Sequence, residues 1–350
     1  MDLKTLAFLA AAAVSCAATA TPAIYPHYMD PRRHPDETRR TVKPPDRAQF
    51  GNRMQFTSIR HLPDNAAWRD ALDTYVVSNR LGNLVWPNLK VLGNGNLPEI
   101  VAEIKRRGLW LFDVWGYLPN GKAQGVDGLW RMPPGVCEML ERELGDRWLG
   151  MDNGEQDGRW SGHGVGAPDR FARMLSFQRY FEHMDKTLGN KMAALVSLNY
   201  GHYFLRENCY TMLGAETAQA LPNSQVYYSF IRGAGKQYGV PWYGCASIFN
   251  RWGWKCYPDV EKPDADNGPE KGASLALLKK LMYTQIFYNS LAFGYEGSFF
   301  RGGFSGAGGL SPIGELQQEA VDWIGRHGDP GVMAVPVGLV IDSARGWCFP

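Results

Sequence analysis

Apolar residues along this chain fall into two kinds of segment. Short dense bursts end in Gly, Asn, Asp or Glu, and longer stretches carry apolar positions every three to four residues. The bursts read as buried strands, and the longer spacing reads as amphipathic helix. Strands are predicted over 84–86, 109–115, 148–151, 193–198, 210–213, 240–248, 291–295 and 332–341. Helices are predicted over 97–107, 136–144, 170–188, 224–238, 273–288 and 313–326. Leu97, Ile100, Val101 and Ile104 share one face of the first, and Gly108, Gly145 and Gly239 stop three of them. Strand and helix alternate throughout, which is the order a parallel α/β sheet requires, because each crossover must return the chain along the sheet. Eight strands with mostly helical crossovers favour a closed (β/α)8 TIM barrel over an open doubly wound sheet. No helix is predicted after the eighth strand, so the last unit is incomplete. Either the N-terminal segment packs on the open side or the sequence is a piece of a longer protein.

The first twenty residues carry Lys4, the apolar stretch 6–14 and Ala18-Thr19-Ala20, the pattern of a secretory signal peptide. The expected location is therefore secreted or periplasmic, with Cys16 as the attachment point of a lipid-anchored alternative. No later stretch has the eighteen apolar residues of a membrane span. Residues 21–54, rich in Pro, Arg, Asp and His, read as an extended lead-in, and 55–350 as one catalytic barrel. In a compartment that permits disulfides, Cys245 and Cys256 are the most plausible pair.

Composition narrows the function. The chain has 350 residues, 12 Trp, 16 Tyr and 16 Phe, and a formal net charge of +2. There is no long basic run with interleaved aromatics, so nucleic acid is not an expected partner. G-x-G-x-x-G, the P-loop, G-x-S-x-G and H-E-x-x-H are all absent, which leaves nucleotide binding, serine hydrolysis and zinc hydrolysis without a motif. No cofactor and no metal are expected.

The predicted strand ends carry Asp113, Asp152, Glu155, Asn199, Glu216, Glu296 and Asp342. In a closed parallel barrel these ends form one rim, and an apolar core has no use for so many polar residues there. Glu216 and Glu296 each end an apolar strand with small residues beside them. Cleaving a glycosidic bond needs one carboxylic acid to protonate the leaving oxygen and one carboxylate to attack the sugar or activate water. The reading assigns Glu216 as the acid and Glu296 as nucleophile or base. Glu155, in the polar segment that follows Asp152-Asn153, is the rival acid or a binder of sugar hydroxyls. Aromatic rings suit sugar faces and polar neighbours suit hydroxyls. Asp113, Trp115, Asp152, Asn153, Asn199, His202, Trp242, Trp252, Trp254, Tyr295 and Trp347 are accordingly the candidate carbohydrate-binding residues.

On Gly214-Ala215-Glu216, the segment from Arg232 to Trp242 and Gly294-Tyr295-Glu296-Gly297, the chain resembles secreted polysaccharide-degrading members of the TIM-barrel glycoside hydrolase superfamily. The resemblance implies a carbohydrate substrate. In the best-known clan it implies an acid on the fourth strand and a nucleophile on the seventh, whereas the count above puts Glu216 on the fifth and Glu296 on the seventh. Two other functions fit the same cleft: a non-catalytic carbohydrate-binding protein, and a polysaccharide lyase whose base would be Tyr, His or Lys.

Overall fold

The computed structural model describes residues 55–62, 67–87, 96–113, 133–152, 169, 185, 186, 188–194, 212–217, 224–247, 275–296, 299–301, 308–328, 330, 333 and 334. It is an α/β fold built on a curled, all-parallel sheet. The strands are β1 (Gln55–Leu62), β2 (Leu84–Pro87), β3 (Trp110–Asp113), β4 (Trp148–Asp152), β5 (Met192–Ala194), β6 (Met212–Thr217), β7 (Trp242–Ser247) and β8 (Ala292–Glu296). Each pairs with the next, and β1 also pairs with β8 through Gln55–Ala292 and Phe56–Phe293.

The described helices are α1 (Trp68–Leu72), α2 (Leu97–Arg106), α3 (Val136–Leu144), α4 (Ser224–Tyr238), α5 (Leu275–Phe287) and α6 (Pro312–His327). Their boundaries follow local chemistry. Leu97, Ile100, Val101 and Ile104 of α2 are buried on one side, as their spacing dictates. Gly145, at positive φ, ends α3. Ser311 caps α6 by accepting a hydrogen bond from the Gly314 amide at 3.2 Å. After α1 the chain continues as a π-helical turn, Asp73–Ser78.

Two apolar clusters divide the sheet into two sides. One joins Val85, Leu111, Met151, Leu213, Ala215, Trp242, Ala246, Phe293 and Tyr295 to residues of the helices. The other joins Leu84, Trp86, Trp110, Phe112, Leu149, Ala193, Met212, Tyr243, Cys245, Leu291 and Ala292, with no helical residue. Successive strand residues alternate sides, so these clusters mark the helix-facing side and the inner side.

The structure corrects the strand count. β1 was not expected, so the strands carrying Glu216 and Glu296 are the sixth and eighth. The predicted final strand over 332–341 is represented by residues 333 and 334, which are not in a strand. The Met333 carbonyl instead accepts a hydrogen bond from Arg232 Nη2 on α4 at 3.0 Å. The last described strand, β8, is followed by α6, and the rest of 332–341 lies outside the described residues. β1 escaped notice because it is polar, and because its pairing with β2 slips twice, between Thr57 and Ile59 and between Arg60 and Leu62. Each slip inserts a residue and breaks the alternation by which a strand is recognised.

Candidate functional site at the strand ends

The strand register decides which rim residues share a side. Laterally paired residues of parallel strands stand on the same side, and the side repeats every second residue. Glu216 pairs with Cys245, and Cys245 with Gly294; one pleat further on, Ser247 pairs with Glu296. Cys245 belongs to the inner cluster, so the Glu216 and Glu296 positions both lie on the inner side, at the carboxyl ends of the two strands flanking β7. Neighbouring strands are about 4.8 Å apart, which puts the two backbones about 10 Å apart across β7. Glu216 is half-buried and Cys245 is fully buried.

Asp152 pairs with Ala193, and Ala193 with Met212, both inner-cluster residues. The Asp152 position is therefore also inner. Asp113 pairs with Met151, which packs against the helices. Its position is on the helix-facing side, away from the interior that Asp152 shares with the two glutamates.

Two of the expected sugar-binding rings are placed in the helix-facing core, which corrects that expectation. Tyr295 is fully buried, packs edge-on against Phe293 at 4.9 Å and donates its hydroxyl to the Leu278 carbonyl of α5 at 2.9 Å. Trp242 opens β7, at the end of the strand opposite the rim, and packs over Gly235 of α4, where any side chain would collide with the indole. Burial in these positions, without access to the interior, explains both rings as packing. Trp115, Asn153, Glu155, Asn199, His202, Trp252, Trp254, Asp342 and Trp347 lie outside the described residues. So does Cys256, the expected partner of Cys245.

One rim position was missed. Arg60 pairs with Trp86, an inner-cluster residue, so β1 carries an arginine to the inner side near its carboxyl end. It is the one cationic position on the inner side of the described strands. The signal was present as an Arg in a run with Phe56, Ile59 and Leu62, but the slipped pairing concealed its side.

Large shifts in proton affinity occur away from the rim. Burial pushes the Asp185 carboxyl, which accepts from the Met192 amide at 3.3 Å where β5 begins, up to about 6. Hydrogen bonds from Arg106 and Arg107 hold Glu103 of α2 down at about 2. Among the described residues no group of three or more His, Cys, Asp or Glu side chains is placed to hold a metal ion. No described helix is long and apolar enough to cross a membrane.

No protein-family model matches the chain, and the comparison with curated proteins found no significant match. The chemistry of the site therefore rests on its own residues.

Proposed function

We propose that the chain is a secreted (β/α)8 TIM-barrel glycoside hydrolase acting on a poly- or oligosaccharide, with Glu216 and Glu296 as its catalytic carboxylates. The observation that carries this reading is the register: the two glutamates stand in the last two residues of the strands on either side of β7, at positions on one side of the sheet and at one end. Pairing of successive strands in chain order, with β1 meeting β8, supports the barrel.

In this mechanism Glu216 donates its proton to the leaving glycosidic oxygen as the bond to the anomeric carbon breaks. Glu296 either attacks that carbon or takes a proton from the water that does. Separations of about 5 Å between carboxyl groups correspond to the first course, and about 6.5–9.5 Å to the second. Asp152 belongs to the same interior and would bind sugar hydroxyls, while Glu155 is the alternative acid.

The test is a panel of polysaccharides and oligosaccharides incubated with folded protein, followed by reducing-sugar release and by absorbance near 235 nm. Release of sugar that disappears in Glu216→Gln and Glu296→Gln is expected. Unsaturated product would replace this reading with a lyase. Glycan binding without product, unaffected by both substitutions, would replace it with a binding protein.

A further inference from the structure

Ion pairs cross three of the described helix seams. Arg69 of α1 meets Glu99 of α2 at 2.8 Å, Lys105 of α2 meets Glu143 of α3 at 3.2 Å, and Lys279 of α5 meets Glu319 of α6 at 3.0 Å. The α4–α5 seam has no such means, because neither helix contains an Asp or Glu. It nevertheless holds two cations one helical turn apart, Arg232 and Lys236. Arg232 is only 6% exposed and Lys236 is half-buried. Burial lowers the proton affinity of both, and the charge of Arg232 lowers that of Lys236 further. A cation so placed is costly unless an anion or a full set of acceptors meets it.

The acceptors of Arg232 are incomplete. Nε and Nη2 of a guanidinium form one edge, the edge that a carboxylate takes with both its oxygens. Nη2 donates to the Met333 carbonyl at 3.0 Å, while Nε is buried with no acceptor among the described residues. A single neutral oxygen thus half-fills an edge suited to two charged ones. The Tyr288 ring lies against the guanidinium, its centroid 5.7 Å from Cζ, and its hydroxyl is paired with Ser229 Oγ at 3.1 Å. Tyr288 therefore steadies the guanidinium without filling the edge. A position near the C-terminus of α4 favours a cation, which accounts for Lys236, but it supplies nothing to the orphaned Nε.

We propose that Arg232 and Lys236 form a binding site for a carboxylate, which takes the Nε–Nη2 edge in place of the Met333 carbonyl while Lys236 supplies the second charge. The exchange satisfies both donors of the edge. The place is now filled by a planar peptide group, which a planar carboxylate matches and a tetrahedral phosphate does not. Met333 is 39% exposed, so the ligand approaches from solvent at that residue. The site is on the outer helices and does not depend on the reading of the strand-end glutamates. Its ligand is a free organic acid or an acidic side chain of a polypeptide, which share the carboxylate.

The experiment uses the full chain labelled with 15N-arginine and follows the Arg232 Nε–H resonance. Acetate, a blocked Ala-Glu-Ala peptide or inorganic phosphate replaces chloride at constant ionic strength. Loss of the resonance in Arg232→Lys assigns it, as does its Overhauser contact with the Tyr288 ring in the native chain. Acetate should give a saturable shift with a Kd of about 1 mM or tighter. Lys236→Met should weaken binding about threefold or more. A peptide bound about tenfold more tightly than acetate supports the site with a polypeptide partner, and equal affinities support it with a small organic acid. A shift that does not saturate by about 100 mM overturns the proposal, as does phosphate bound more tightly than acetate. So does an affinity unmoved in folded Lys236→Met; if that variant fails to fold, saturation in the native chain decides.

Discussion

The two sides of β8 differ by one residue step and by almost everything else. Phe293 and Tyr295 face the helices, both fully buried, with the one polar atom of Tyr295 engaged by the Leu278 carbonyl. Ala292, Gly294 and Glu296 alternate with them on the inner side, where small residues lead to a carboxylate at the strand end. On the helix-facing side of β8 both rings are spent on packing against the helices. The inner side begins apolar, with Leu84, Trp110, Met212 and Ala292, and becomes charged only at the carboxyl ends. On the proposed reading a single strand contributes to stability with one set of residues and to chemistry with the other, so substitutions on its two sides should have separable effects.

The sharpest separation comes from adjacent variants. Glu296→Gln should lower kcat at least about a thousandfold, roughly 4 kcal/mol of transition-state stabilisation, while leaving the melting temperature nearly unchanged. Phe293→Ala should do the converse, destabilising the fold by about 3–5 kcal/mol in denaturant titration with turnover per folded molecule retained. Equal effects of the two variants on both measurements would break the comparison. Asp152→Asn against Asp113→Asn is a finer instrument. The first should reduce kcat/KM on the order of tenfold, as expected for a lost substrate hydrogen bond of about 1.4 kcal/mol, and the second should leave it unchanged.

A separate effect, away from the rim, concerns pH. Burial raises the Asp185 carboxyl from its ordinary value of 3.8 to about 6, so between those values the folded chain binds more protons than the unfolded one. Stability from this group is therefore fully present below about 3.8 and is lost as pH rises through about 6. Asp185→Asn should flatten that part of the stability profile, as read from melting temperatures between pH 4 and 7, without moving the pH dependence of turnover.

Much of this architecture was legible because it depends on local chemistry. Helices α3 and α4 occupy the predicted spans, since apolar spacing and a following glycine are both local signals. Glu216 and Glu296 were visible as acids closing apolar bursts. Side assignment was harder. In 242–247 and 292–296 nearly every residue up to the rim is apolar or small, so alternation leaves no trace in the sequence and Trp242 and Tyr295 could not be separated from inner residues. β1 presents the opposite difficulty, with its three apolar residues Phe56, Ile59 and Leu62 spaced irregularly among polar ones by two slips, and Arg60 went unnoticed with it.

The slips in β1 have a consequence for how such an interior can change over time. Were the first one ironed out, Ile59 would take the inward place and Arg60 would turn toward the helices, although no amino acid had been replaced. Absorbing or restoring that slip acts as a phase change, exchanging a charged position for a hydrocarbon one at the mouth of the sheet with the sequence unaltered.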